Sequence, residues 1–176
     1  MQVGVQMQSL SSEIDKILLY VEDAQEISSE HVANAAGLSK EFTVFALQNA
    51  LGAKNLKAAV RIYESLKIGS SVQSILFQVG RFFTNLLIAT GFTPNRDNDQ
   101  KLAKLTRTHA FFVRDLHQNK KNYTLLELEN ALDCIRHVDY ASKTYPVDED
   151  LLMQMLFVHI VRGYPAKRLP FGTKNQ

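Results

Sequence analysis

Between Val72 and Leu87, apolar side chains recur at the i, i+3, i+4, i+7 spacing of a single helical face, and this run constrains the fold more than any other feature of the chain. Val72, Ile75, Leu76, Val79, Phe82, Phe83, Leu86 and Leu87 make one stripe, which a strand of period two would divide between opposite faces. Ser71 stands where an N-cap is wanted, and Gly91 and Pro94 end the run. Gly80 costs about 1 kcal/mol against alanine inside a helix, so a second helix is expected to approach closely there. The run is interrupted by Gln78, Arg81, Thr84 and Asn85, which argues for a buried helix of a water-soluble fold over a membrane span of roughly 20 apolar residues.

The same period governs the rest of the chain. Leu10, Ile14, Ile17, Leu18 and Val21 form one helical stripe. A short helix is predicted from Ser28, with Ile27 and Val32 as its hydrophobic staple and Gly37 as its stop. Helices follow from about Thr43 to Leu51, carrying Val44, Leu47 and Leu51, and from Asn55 to near Gly69, burying Leu56, Val60, Tyr63 and Leu66 or their neighbours. Pro94–Asp99 reads as a loop, followed by two shorter helices near Asp99–Leu105 and His109–His117. Thr124 and Glu127 have capping-box spacing, with Tyr123 and Leu128 as a staple, so a helix begins there and runs through Leu132, Ile135 and Val138 to about Lys143. Pro146 separates it from a last helix capped by Asp148, with Leu151, Leu152, Met155 and Val158 expected to be buried. Gly163 and Pro165 stop that helix. No segment alternates as a strand would, so the fold class is all-α.

Chemistry is sparse. Neither G-x-x-x-x-G-K-[ST] nor G-x-G-x-x-G occurs, so no phosphate-cradling loop is expected. Cys134 and His137 share a helical face, but zinc takes about four ligands from paired motifs and no second pair exists. They read as a buried cysteine beside a surface histidine. Cys134 is the sole cysteine, so no internal disulfide can form. His31, His109, His117 and His159 belong to no nucleophile motif, and Asp148, Glu149 and Asp150 complement a helix dipole. No catalytic residue, metal or cofactor is expected. The N-terminus lacks the basic and then apolar blocks of a signal peptide, which predicts a cytoplasmic protein.

Charge is unevenly distributed. Residues 1–41 hold two bases against seven acids, and the remainder holds eighteen against eleven. The change of sign near Lys40 marks a candidate domain boundary. Seven bases, Arg96, Lys101, Lys104, Arg107, Arg114, Lys120 and Lys121, face only three acids between residues 96 and 121. Lys101, Lys104 and Arg107, three apart, are candidate phosphate contacts, although a solvated helix face is the commoner origin of such a run. Asp139 and Lys143 form an i, i+4 pair in the favourable order.

Several of these segments, in this order, resemble the delta subunit of the bacterial DNA polymerase III clamp loader. Glu13-Ile14-Asp15-Lys16-Ile17 with Leu19-Tyr20-Val21 looks like the helix closing that family's AAA+ lid. Ile27-Ser28 through Gly37-Leu38-Ser39-Lys40-Glu41-Phe42, then Phe45, Leu47 and Ala50-Leu51, resembles the passage from lid to collar. Ala58-Ala59-Val60-Arg61-Ile62 and the Ile75–Leu87 helix look like the collar's first long helices. Leu126–Leu132 leading to Asp139-Tyr140-Ala141-Ser142-Lys143 resembles its penultimate helix.

The resemblance implies a lid remnant over 1–41 and a helical collar over 42–165; the polar and basic stretch 166–176, around one Leu-Pro-Phe, lies outside that pattern and reads as a mobile tail. The resemblance also implies a role in DNA replication as a subunit without ATP hydrolysis or catalysis of its own, nucleotidyltransferase only by association. Its collar would contact the other loader subunits, and DNA would be near only in the full complex. The sliding clamp would be reached only through an N-terminal domain that this chain lacks, so the chain is expected to be a fragment. The competing expectation is a stand-alone helical nucleic-acid-binding module using the Arg96–Lys121 face.

Overall fold

A computed structural model describes residues 40–169 of the chain, which divides into two compact units at Thr43/Val44. The expected helices around Leu10–Val21 and Ser28–Ala36, and residues 170–176, lie outside the described residues. Among the described residues there are seven α-helices and no strand: α1 (Lys40–Gly52), α2 (Leu56–Leu66), α3 (Val72–Thr90), α4 (Arg96–Thr106), α5 (Ala110–Asn119), α6 (Leu125–Thr144) and α7 (Glu149–Arg162). Two single 3-10 turns, Lys120–Asn122 and Ala166–Arg168, precede α6 and follow α7.

Local chemistry sets most boundaries. Asn55, Ser71, Thr124 and Asp148 each accept a backbone N–H from the first turn of the helix they open. At Thr124 the capping box is complete, since the Glu127 carboxylate accepts the Thr124 N–H at 2.8 Å and Thr124 Oγ1 accepts the Glu127 N–H at 3.2 Å. Gly163 ends α7 at φ 68°, a left-handed conformation that favours glycine. Pro94–Asp99 is not the expected loop. Asn95 there is an N-cap, accepting from Asn98 N–H at 2.8 Å, and α4 already starts at Arg96.

The interior forms where α3 lies against α6 and α6 against α7, with α2, α4 and α5 closing the sides. The α3 stripe is buried at Ile75, Leu76, Val79, Phe82, Phe83, Leu86 and Ala89. By length and hydropathy alone α3 would pass for a membrane span, despite the interruptions seen in its sequence. Its apolar side is covered instead by other helices of the bundle. Gly80 faces Ile135 of α6, and a Cβ there would lie 3.4 Å from Ile135 Cγ2. The helices do approach at this point, but an alanine would fit.

Of two buried stripes, the first falls on the expected residues and a neighbour, and the second differs from expectation. In α2 the buried face is Ala59, Tyr63 and Leu66, with Leu56 and Val60 on its flanks. In α7 it is Leu152, Met153, Leu156, Phe157 and Ile160, while Leu151 is exposed. The apolar residues of α7 fall on every side of the helix, so its periodicity cannot choose a face; the packing of α2, α3 and α6 against it does. In the described part of the tail, Ala166–Arg168 is a 3-10 turn against α6, and Leu169 is buried against the bundle.

The corner between α1 and α2 is held by the segment ahead of α6. Asn122 donates to the Gly52 carbonyl at 2.8 Å, and Tyr123 hydroxyl donates to the Leu51 carbonyl. Lys54, left-handed at φ 56°, lies over the Tyr123 ring and pairs with Glu127. One carboxylate thus serves both the α6 cap and the α1–α2 corner.

Candidate functional site

The residues singled out from sequence fall into three groups. Glu13, Lys16 and Gly37 lie outside the described residues, as does the side chain of Phe42, whose backbone is in the first turn of α1. Leu47 is buried, and Phe45 is half-buried and stacked on Phe112 with ring centroids 4.6 Å apart. Asp139 and Lys143 make their i, i+4 ion pair at 2.7 Å on the exposed side of α6. Such a pair contributes about 0.3–0.5 kcal/mol, a helix-stabilising role.

The basic run does not form one face. Lys101 and Lys104 are exposed one turn apart on α4, but Arg107 is the left-handed residue just past its end. Lys120 turns inward. Its ammonium donates to the Ala89 carbonyl at 2.7 Å, which also accepts the Phe92 N–H at 3.1 Å, and to the Phe92 carbonyl just past the end of α3. Burial pushes the Lys120 pKa down, and the neighbouring Lys121 charge adds to this.

Buried titratable groups serve packing. Cys134 has no exposure; its thiol donates to the Tyr164 carbonyl at 3.5 Å and lies 3.9 Å from His159 Nδ1. Burial, with the Asp133 charge, pushes this thiol up to about 11, so it stays protonated at neutral pH and is not a nucleophile. Burial also holds His159 below its ordinary value. His137, expected at the surface, is buried, because α6 is packed on both sides by α3 and α7. Among the described residues, no group of three His, Cys, Asp or Glu side chains could hold a metal ion.

The acidic start of α7 does more than complement a dipole. Asp150 accepts from Tyr63 hydroxyl at 2.7 Å and from Lys67 at 2.7 Å, and Glu149 accepts from Gln73 at 2.7 Å. These contacts tie the end of α2 and the start of α3 to the start of α7. The Lys67 and Tyr63 hydrogen bonds hold the Asp150 carboxyl below the usual range.

Sequence patterning did not reveal the surface at this end of the bundle. Ile68, Phe77, Tyr140, Tyr145 and Leu151 are all exposed, Ile68 at 87% and Phe77 at 69%. They lie where α2 and α6 end and α3 and α7 begin, with Tyr140 and Tyr145 in edge-to-face contact. The available signal was the excess of apolar residues on α7 and one off-stripe aromatic, Phe77, on α3.

Among the described residues the fold is an all-α bundle whose buried titratable groups serve packing and whose surface exposes several large apolar side chains. The family model for the DNA polymerase III delta subunit, C-terminal domain, matches residues 41–160, and the chain belongs to that family. The chain is 22% identical over 161 residues to DNA polymerase III subunit delta of Bacillus subtilis (strain 168), covering 91% of this chain and 46% of that protein. Among solved structures it is similar to the Bacillus subtilis DNA clamp loader delta protein (YqeN), with a TM-score of 0.65, 21% identity and coverage of 88% of this chain and 46% of that one. The chain thus spans about half the length of the relatives it matches.

Proposed function

We propose that this chain acts in DNA replication as the collar region of a clamp loader delta subunit, working in the cytoplasm and contributing subunit contacts with no catalytic step of its own. Its partners are the other clamp loader subunits. The sliding clamp would be engaged by a part of a full-length delta subunit that this chain does not span, and DNA would be met only in the complete assembly. The observation that carries the reading is the family match over 41–160. The exposure of large apolar side chains, Phe77 and Leu151 among them, supports it, since such side chains on a folded domain are candidates for burial by a partner.

The test is co-elution of the chain with folded clamp loader subunits on size exclusion at micromolar concentration. A complex is expected, and Phe77→Glu and Leu151→Glu are each expected to weaken it by about 2 kcal/mol if they sit at the centre of the contact. Absence of any complex with folded partners overturns the reading. The stand-alone nucleic-acid module finds no support in the comparisons, and the inward turn of Lys120 removes one base from its surface.

A further inference from the structure

A cleft of about 180 Å³ opens between α1, α3, α5 and the corner that joins α4 to α5. Its apolar lining includes the stacked pair Phe45 and Phe112, together with Phe82 of α3. Arg81 and Arg107 line it as well, and Asp115 enters from α5. The two arginines are 26 residues apart in the chain and are joined by a hydrogen bond, Arg81 Nη2 donating to the Arg107 carbonyl at 3.1 Å. Among the described residues, neither guanidinium has a carboxylate within ion-pair distance, Asp115 included.

A second, independent observation concerns Arg107 itself. Its backbone is left-handed at φ 51°, its N–H reaches back to the Ala103 and Lys104 carbonyls, and the Thr108 N–H bonds the Ala103 carbonyl at 3.0 Å. This is the helix-ending position where glycine is the unstrained residue. An arginine there sets backbone strain against whatever its side chain does.

The geometry points to a peptide-binding site whose occupant is a segment of a partner protein carrying an aromatic or large aliphatic side chain beside an acidic residue. The apolar side chain would enter between Phe45, Phe112 and Phe82, and the carboxylate would meet Arg81 and Arg107 with charge-assisted hydrogen bonds. The size of the cleft favours a side chain over a metabolite, since small-molecule sites run to about 300–1,000 Å³. Asp115 gives the site polarity by disfavouring a second acid at its own wall. A nucleic acid strand is the poorer match, because a strand is held along an extended basic groove and this cleft offers two cationic side chains and one anionic one.

Fluorescence anisotropy on the full chain with a labelled peptide, Gly-Ser-Asp-Glu-Leu-Phe, tests this. Saturable binding is expected, weakened about tenfold or more when the acids are replaced by serine or the phenylalanine by serine. Arg107→Gly is the decisive variant: the thermal midpoint should stay the same or rise as strain is relieved, while peptide affinity falls about tenfold. Arg81→Glu should lose binding as well, and Lys143→Glu, on the far exposed side of α6, should not. The proposal is overturned by no saturation up to millimolar peptide, by unchanged affinity in Arg107→Gly, by a lowered midpoint in that variant, or by an oligodeoxythymidine that competes the peptide away at the same salt.

Discussion

Lys120 shows how a single side chain can be misplaced when charge is read as a run. In sequence it is one of seven bases between Arg96 and Lys121, indistinguishable from Lys121 beside it. In the fold it closes the end of α3, while Lys121 is exposed. Which lysine turns inward is decided by the path of the 3-10 turn, a tertiary fact with no local signature. Lys120→Met, which keeps the stem and removes the donors, is expected to destabilise the fold by about 1–3 kcal/mol in urea unfolding, because the Phe92 carbonyl loses its partner and the Ala89 carbonyl keeps only the Phe92 N–H. Lys121→Met should stay within about 0.5 kcal/mol of the parent. Equal effects of the two substitutions would contradict the capping role. The Arg81–Arg107 pair was hidden for a related reason: neither residue has a neighbour in sequence that announces the other.

Helices were legible where their signals are local. Asn55, Ser71, Thr124 and Asp148 were readable as caps because a cap is a contact between residues two or three apart. Asn95 carries the same chemistry, but Pro94 and the polar residues around it read as a loop, so the start of α4 was placed late. The face of α7 could not be read, since apolar residues surround that helix and only its neighbours select Met153 over Leu151. Gly80 is the element-scale case open to measurement. The expected close approach of a second helix is there, yet a Cβ would rest at ordinary contact distance from Ile135. Gly80→Ala should therefore stabilise the fold by up to about 1 kcal/mol, a rise of a few degrees in thermal midpoint. Gly52→Ala should do the opposite, because its Cβ would fall 2.5 Å from the Asn119 side chain. A lower midpoint for Gly80→Ala would show that α3 and α6 cannot adjust at all.

For the whole molecule, the all-α class and the family resemblance were both accessible from pattern and order, whereas the exposed end and the cleft depend on which helices lie beside which. The same convergence sets how stability responds to acid. His159 sits below its ordinary value of 6.5 through burial. Burial tends to raise Glu127, but the Lys54 and Thr124 hydrogen bonds prevail and hold it below its ordinary 4.5; Asp150 is held below 3.8 by Lys67 and Tyr63. In all three cases the unfolded chain binds a proton first as pH falls, so each contribution is present at neutral pH and is lost through the folded-state value. The thermal midpoint should decline in two stages, one beginning below pH 6.5 and a steeper one below about pH 4.5. Replacing His159 with Gln should flatten the first stage and leave the second. A midpoint that rises on acidification would contradict the sign.

Cys134 gives the molecule a built-in gauge. Its sulfur is enclosed by helix packing and held in the unreactive form, and no other thiol competes with it. A thiol reagent can modify it only while the helices are momentarily apart, so the pace of modification counts those openings without any foreign dye or engineered handle.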